Sequence, residues 1–478
     1  MATKRDLVEA HSFSRRRLVT AFVSGAPGGR EVEPARPARV IVGGAALAVL
    51  LIAGAAIAGI FTKKTPDDWA QPGLFVSKET GAPYVITDEG PPVVVRPVIN
   101  NTSAKLILGS EVEPTIIAQS AIEEEIVGSD IGILGAPASP PGAGRLIGSG
   151  WTVCTGPTTG LRLDVSEEPA VRAAAGAGSV VREGGRFYLL AQARPSGSET
   201  PSAYRYLLPR QAGARDNMLT ALGLQAGAYA TEVSETYLGL FPTGGDLAIG
   251  TLGLGDVGRP ASYATASSGL PGDARVGDVV THDGGALLLG PDHPVDLDEF
   301  ALAVYTNLPE EPRVVAVDGS VNVERGPATY ADAHWPGGLL EPVLGEQCAQ
   351  LDARPGEAPR VHVAADPTGN ASAADVAADT TSIRVDAGRG AYVLSGDWDE
   401  PDDPDDPDDV TDGSPFLMDA KGLAYRLVGV AADQLGYAGV APPVVPDTWV
   451  QLFRPGVALS QDAALCPPTR DDGATSCE

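Results

Sequence analysis

The chain has 478 residues, and its 62 acidic side chains outnumber 34 basic ones, for a formal net charge of −28. A nucleic-acid-binding surface needs clustered Lys and Arg, so this charge argues against a nucleic-acid partner. The length exceeds what one compact core usually holds, and several subdomains are expected.

The first 39 residues predict a cytoplasmic basic tail. Over residues 4–24, apolar side chains such as Leu7 and Phe22 are interspersed with arginines, among them Arg15, Arg16 and Arg17. This pattern predicts an amphipathic helix that lies on membrane lipid or on a partner. A Gly- and Pro-rich tether follows it.

Val40–Phe61 is a run of 22 residues without one charged or hydrogen-bonding side chain. As a helix it would reach about 33 Å, enough for a hydrocarbon core of about 30 Å, which predicts a single transmembrane helix. A cleaved signal peptide is the alternative, because Ser14–Arg17 resembles a twin-arginine motif. The apolar run is longer than a signal sequence needs, and Pro34 and Pro37 separate it from those arginines, so a retained anchor is favoured.

Two pairs of small residues within this run, Gly44 with Ala48 and Gly54 with Ala58, would allow close helix packing. On these residues alone, an Ala-rich anchor without a helical partner is an equal alternative.

The orientation of the span follows from the whole tail. The immediate flanks hold equal numbers of basic residues, but residues 1–39 carry eight basic and four acidic side chains. The excess of positive charge predicts a cytoplasmic N-terminus and an extracytoplasmic C-terminal domain.

All four cysteines follow the predicted span: Cys154, Cys348, Cys466 and Cys477. An even number on an exported side predicts disulfides, with three possible pairings and free buried thiols as the alternative. A Cys154–Cys348 bond would contribute about 5 kcal/mol in the chain-entropy model, and a Cys466–Cys477 bond about 3 kcal/mol.

Four segments of the exported region each combine β-branched or aromatic runs, an Asp/Gly turn and a short Ala/Leu helix. They predict an α+β, elongated ectodomain with four small β-hairpin-plus-helix repeats, at 67–125, 181–250, 270–310 and 391–465. The segments 126–180 and 311–390, around Trp151 and Val314, predict a central β-rich core, and 466–478 is a C-terminal tail.

Catalytic and metal-binding motifs are missing from the sequence. The Gly-rich stretch from Gly142 lacks the Lys-Ser/Thr of a P-loop, and there is no HExxH or G-x-S-x-G pattern. The Asp-rich run 397–413 lacks the ligand spacing of an EF-hand, which favours a solvated loop over a calcium site. No catalytic residue, metal or cofactor is predicted.

The order of these features resembles the EccB family, the membrane-anchored components of the type VII (ESX) secretion systems of actinobacteria. The resemblance is carried by TKRDLVEAHSFSRRRLVTAFV before the span, by residues 67–109, by ILGAPASPP and WTVC, and by LPGDARVGDVV and LGYAGVAPPVVPDTWVQLFRPGVAL. The Asp-rich run and the Cys466/Cys477 pair depart from the family pattern.

The resemblance implies a Cys154–Cys348 bridge in the core and self-association together with EccC, EccD and EccE in an inner-membrane complex that exports small helical proteins. A structural subunit is therefore the favoured function. Two alternatives stay open: an extracytoplasmic nucleotide hydrolase, since some family members are described as ATPases, and a peptidoglycan-binding module.

Overall fold

The computed structural model describes residues 3–24, 69–194, 200–265, 267–309, 312–398 and 413–468. The chain divides into two compact units, residues 1–67 and 68–478. In the first unit, helix α1 spans Lys4–Ser24, and its apolar side chains, Leu18 and Phe22 among them, are exposed.

Within the described ranges, no helix is long and apolar enough to cross a membrane. The predicted span at 40–61, with Gly44, Ala48, Gly54 and Ala58, lies outside those ranges.

The second unit begins with a five-stranded sheet, here called the first sheet. Its strands are β1 (Gly73–Ser77), β2 (Pro83–Ile86), β3 (Val94–Pro97), β4 (Thr115–Ile117) and β5 (Ile126–Val127). β1, β2 and β3 form an antiparallel meander, and β4 and β5 then add in parallel to β1 and β3. Helices α2 (Asn101–Leu108) and α3 (Gln119–Glu123) connect these strands. The Asn100 side chain caps α2 by accepting the Ser103 N–H at 2.7 Å.

The chain then enters the central sheet with three strands and leaves it to build the second sheet. The central strands are β6 (Thr152–Thr155), β7 (Leu161–Val165) and β8 (Arg172–Ala173). The second sheet consists of β9 (Ala177–Glu183), β10 (Arg186–Ala193), β11 (Ser202–Leu207) and β12 (Thr231–Glu232), with helices α4 (Ala212–Ala221) and α5 (Glu235–Leu238).

The β9–β10 hairpin turns on two glycines, Gly184 and Gly185, at φ 52° and 80°. A two-residue hairpin turn of this kind needs positive φ at both positions, which glycine adopts without a steric cost. β10 pairs antiparallel with both β9 and β11, and β12 adds in parallel to β9.

The third sheet follows the same order. Its elements are β13 (Val279–His282), β14 (Gly285–Leu289), β15 (Pro294–Leu297), helix α6 (Glu299–Thr306) and β16 (Val314–Ala316). β16, which the sequence assigned to the central core, pairs in parallel with β13. A strand that follows a crossover helix returns naturally to the sheet it left, and this explains the difference.

The chain next adds β17 (Glu341–Pro342) to β9 and returns to the central sheet with β18 (Gln347–Asp352), β19 (Arg360–Ala365) and β20 (Thr381–Val385). The central order is β20-β7-β6-β18-β19-β8. Its strands therefore come from two stretches of chain that the second and third sheets separate.

The fourth sheet consists of β21 (Ala391–Gly396), β22 (Ser414–Met418), β23 (Leu423–Arg426), β24 (Val444–Pro446) and β25 (Arg454–Pro455). Its helices are α7 (Ala431–Gln434), α8 (Asp447–Val450) and α9 (Gln461–Ala464). β21, β22 and β23 form a meander to which β24 and β25 add in parallel, the order seen in the first sheet. The described residues of this unit confirm the predicted α+β class.

Candidate functional site

A buried disulfide joins the two halves of the central sheet. Cys154 on β6 and Cys348 on β18 are cross-strand partners with a Cα–Cα distance of 4.0 Å. Both are 0% exposed, in an apolar cluster with Ala364 and Val376. The bond closes a sequence separation of 194 residues, within which the second and third sheets lie.

The other predicted site residues are placed apart from this bond. Cys466 is buried just after α9, and Cys477 lies outside the described residues, so their pairing stays a prediction. Arg15, Arg16 and Arg17 are exposed on α1 in the first unit.

One face of the central sheet is apolar and packs against the second and fourth sheets. Val153 and Leu163 of the central sheet share a buried cluster with Leu190 of β10 and Val393 of β21. The cluster includes Trp449 of α8, whose indole N–H donates to the Leu240 carbonyl at 3.2 Å. The fourth sheet is therefore tied to the segment that follows α5.

The first and fourth sheets pack through their helices. Leu106 of α2 is fully buried in a cluster with Leu435 and Leu459. The Gly132 N–H donates to the Cys466 carbonyl at 3.0 Å, and the Tyr437 hydroxyl donates to the Pro141 carbonyl at 2.6 Å. Segments close to the two ends of the second unit thus share one core.

The second and third sheets also share one core. Tyr206 of β11 and Phe300 of α6 lie with their ring centroids 6.4 Å apart, in a cluster that includes Trp335. The Trp335 indole donates to the Gly245 carbonyl at 3.3 Å, and the Leu340 N–H donates to the Leu222 carbonyl at 3.0 Å. The segment before β17 therefore fastens these two sheets together.

The opposite face of the central sheet carries a row of polar residues. In register across five strands stand Arg384, Asp164, Thr152, Gln350 and His362. Directly opposed residues share a face of a sheet, and these lie on the face that carries the disulfide. Sequence reasoning missed the row, because its members come from five strands and become neighbours only through the strand register.

Asp164 is the most buried ionisable member of this row, at 2% exposure. Its Oδ1 lies 3.7 Å from Arg384 Nε, and neither this oxygen nor Thr152 Oγ1 has a hydrogen-bond partner among the described residues. Burial raises the pKa of Asp164 above its ordinary 3.8, and the Arg384 charge opposes the change.

At the other end of the row a cleft of about 440 Å³ opens. It is lined by Ser149, Gly150, Ala173, Ala175, Gln192, Pro201, Gln350, Leu351, Asp352, Arg354 and His362. Gln192 Nε2 lies 2.7 Å from His362 Nδ1. Burial lowers the pKa of His362 below its ordinary 6.5, so the imidazole is neutral at pH 7.

The hydroxyl and carboxylate in the cleft are engaged with each other. Ser149 Oγ donates to Asp352 Oδ1 at 3.2 Å and accepts the Ala353 N–H at 3.0 Å. Asp352 also pairs with Arg354 at 3.3 Å and with Arg360 at 3.5 Å. Nucleophilic catalysis requires a hydroxyl that is hydrogen-bonded to a base able to take its proton. The Ser149 hydroxyl donates to the Asp352 carboxylate, which is already paired with two arginines, so this arrangement does not match an activated nucleophile.

Metal-binding groupings were sought across the same described ranges. No group of three or more His, Cys, Asp and Glu side chains there is arranged to hold a metal ion. Most of the Asp-rich run, residues 399–412, lies outside those ranges.

Comparison with known proteins identifies one family. The family model described as "Type VII secretion system ESX-1, transport TM domain B", designated T7SS_ESX1_EccB, matches residues 1–471. A curated relative, "ESX-1 secretion system ATPase EccB1" of Mycobacterium tuberculosis strain H37Rv, is 36% identical over 137 residues, 28% of this chain and 26% of the relative. The protein of that name from Mycolicibacterium smegmatis is 33% identical over 117 residues, 24% of this chain and 23% of the relative. The matches span about a quarter of these relatives' length.

Solved structures share the fold at lower identity. A chain of an intact ESX-5 inner membrane complex aligns with a TM-score of 0.58 and 21% identity, over 97% of this chain and 95% of that chain. A chain of the EccB3 dimer from the ESX-3 core complex aligns with a TM-score of 0.59 and 20% identity, over 82% and 99%. At these identities the likeness shows a common fold.

Proposed function

Because the chain belongs to the EccB family of type VII secretion systems, we propose that it is a structural subunit of an ESX inner-membrane complex. The observation that carries this proposal is the family match over residues 1–471. That match takes in helix α1, the predicted span and every described sheet.

The packing of the second unit supports a scaffold. Buried clusters join the first sheet to the fourth, the second to the third, and the central sheet to both pairs. A load applied at one sheet is therefore carried through apolar contacts and the Cys154–Cys348 bond to the others, because close-packed interiors transmit strain.

We assign the finer organisation as follows. The span at 40–61 anchors the chain once in the inner membrane, with residues 1–39 in the cytoplasm and the second unit outside. The four outer sheets are copies of one repeat, at 67–125, 181–250, 270–310 and 391–465, because each is an antiparallel meander to which a strand following a helix adds in parallel. The segments 126–180 and 311–390 supply all six strands of the central sheet, and other strands within them, β5, β16 and β17, join the outer sheets.

The partners in this proposal are further copies of the chain and membrane components of the EccC, EccD and EccE types. The likeness to a chain of an ESX-5 inner membrane complex and to a chain of an EccB3 dimer supports both kinds of contact. The assembly would export small helical proteins, and this chain would position the extracytoplasmic part of the assembly.

The proposal is tested by purifying the tagged full-length chain from host membranes in mild detergent and resolving it on a native gel. We expect co-migration with the other membrane components, identified by mass spectrometry. Leu435→Asp places a charge in the core shared by the first and fourth sheets, where Leu435 is 3% exposed, and should abolish the complex. Val430→Asp, at a residue 49% exposed, is the matched control and should preserve it. Migration of the wild-type chain alone, with the other components elsewhere in the same membranes, would overturn the assignment.

A further inference from the structure

The cleft on the polar face of the central sheet is built from side chains. Its floor is formed by β18, which pairs with β6 and β19, and by β19, whose other edge pairs with β8 at Ala364 and Ala365. Further along that edge, the Val361 N–H donates to Ser202 Oγ at 3.3 Å and the Val363 carbonyl accepts from the Ala174 N–H. A peptide captured by strand addition needs a free strand edge, and these bonds occupy the edge of β19. A ligand of the cleft must therefore be recognised by side-chain groups.

The recognition groups are neutral amides and an imidazole. Gln350 is half-buried, and its amide makes no hydrogen bond to another described residue, so it presents two donors and an acceptor. The Gln192 amide nitrogen can only donate, so His362 Nδ1 accepts from it and the ring carries its proton on Nε2. The floor thus combines donors and an acceptor over a short distance.

The charges around the cleft are balanced. The Asp352 carboxylate is paired with Arg354 and Arg360, and Arg360 is paired in turn with Glu357 at 2.7 Å. His362 adds no charge at pH 7 because its burial disfavours the cation. A multiply charged ligand such as a nucleoside triphosphate finds no excess of positive charge here.

The walls are small and apolar. Ala173 and Ala175 line one part of the cleft and Pro201 another. A cleft of about 440 Å³ falls within the range of about 300–1,000 Å³ found for small-molecule sites. Small apolar walls over a floor of amides suit a ligand that has flat C–H surfaces and several hydroxyl or acetamido groups.

We propose that this cleft binds a short neutral saccharide, with its hydroxyl or acetamido groups on Gln350 and His362 and a ring face against Ala173 and Ala175. The site lies on the central sheet, and the proposal does not depend on the assembly proposed above. A chain that fails to assemble would still bind the saccharide, so the two proposals fail separately.

The test uses the full-length chain in a detergent without a sugar headgroup, with chitobiose and cellobiose as probes and saturation-transfer NMR or calorimetry as the readout. We expect at least one probe to bind. Gln350→Ala should weaken that binding about tenfold, the equivalent of one good hydrogen bond. Gln71→Ala removes the same group from an exposed position and is the matched control.

A second variant tests the cleft independently, in case Gln350→Ala fails to fold. Ala175 is exposed and lines the cleft, so Ala175→Trp should leave the fold intact and block binding by filling the space that the saccharide ring would occupy. Failure of both probes at millimolar concentration would overturn the proposal, as would binding that survives both cleft substitutions. Displacement of the bound saccharide by a tetra-alanine peptide would also overturn it, in favour of a peptide site.

Discussion

The side-chain amide of Gln461 donates a hydrogen bond to the backbone carbonyl of Ile107 at 3.3 Å, across 354 positions of the chain. Gln461 begins α9 and Ile107 lies in the last turn of α2, so the last described helix is seated on the first helix of the second unit. This hydrogen bond adds to the buried cluster that the first and fourth sheets share, and neither sheet is therefore expected to unfold alone.

Leu106→Ala should therefore destabilise both sheets together. Leu106 is 0% exposed, and truncating a buried leucine costs about 2–5 kcal/mol through lost burial and the cavity left behind. Guanidinium unfolding followed by tryptophan fluorescence measures the change. Ile126→Ala, at a residue 53% exposed on β5, should change the stability by less than about 0.5 kcal/mol. Equal losses in the free energy of unfolding for the two variants would contradict a shared core at Leu106.

Removal of the central disulfide should have a larger effect. For a separation of 194 residues the chain-entropy model assigns about 5 kcal/mol to the Cys154–Cys348 bond. The double variant Cys154→Ala/Cys348→Ala should unfold at a lower guanidinium concentration by a corresponding amount. Because both cysteines are fully buried, dithiothreitol should reduce the bond in the wild-type chain only under unfolding conditions. Rapid reduction of the native chain would show that the core opens without unfolding.

The sequence predicted the hairpins better than the sheets. Within the segments 181–250 and 391–465, β10 pairs with β11 and β22 pairs with β23 in antiparallel fashion, and such pairs can be predicted because alternation and turn residues are local signals. Short parallel strands such as β12 and β24 escaped prediction, because two or three residues carry no measurable period. β16 was assigned to the core because the β-rich pattern of its segment does not indicate which sheet a strand joins.

More of the disulfide than of the cleft could be predicted from the sequence. The four cysteines left three pairings open, and only the family resemblance selected the one that the structure contains. Gln350 and His362 alternate with buried apolar neighbours on β18 and β19, but their contact depends on the register between those strands. A site made by strand register is invisible in a single sequence.

The buried Asp164 predicts a pH-dependent gain in stability for one substitution. Burial raises its folded-state pKa above the ordinary 3.8, so its contribution is full below that pH and is lost as pH rises through the folded pKa. Asp164→Asn should therefore raise the unfolding midpoint at pH 7, and the advantage should vanish below about pH 3.8, where both states are protonated.

Asp375→Asn is the matched control. The hydrogen bond from Arg162 and its charge lower the pKa of the exposed Asp375 carboxyl. Its stabilising contribution is present above the ordinary pKa and is lost as pH falls, so the substitution should act in the opposite direction at pH 7. A loss of stability in Asp164→Asn at pH 7 would mean that attraction to Arg384 outweighs the cost of burial.

The proposed orientation of the chain, with its tail in the cytoplasm, predicts an effect of charge in that tail. Residues 1–39 carry eight basic and four acidic side chains, and Arg15, Arg16 and Arg17 lie exposed on α1. Replacing all three arginines by glutamate reverses the sign of the tail's charge and should lower the fraction of chains with the tail inside, because Lys and Arg are retained on the cytoplasmic side. A C-terminal alkaline phosphatase fusion, active only after export, measures this fraction. Replacement by lysine keeps the charge and should leave the phosphatase activity unchanged. Full phosphatase activity of the glutamate variant would mean that the exported domain, and not the tail, determines the orientation.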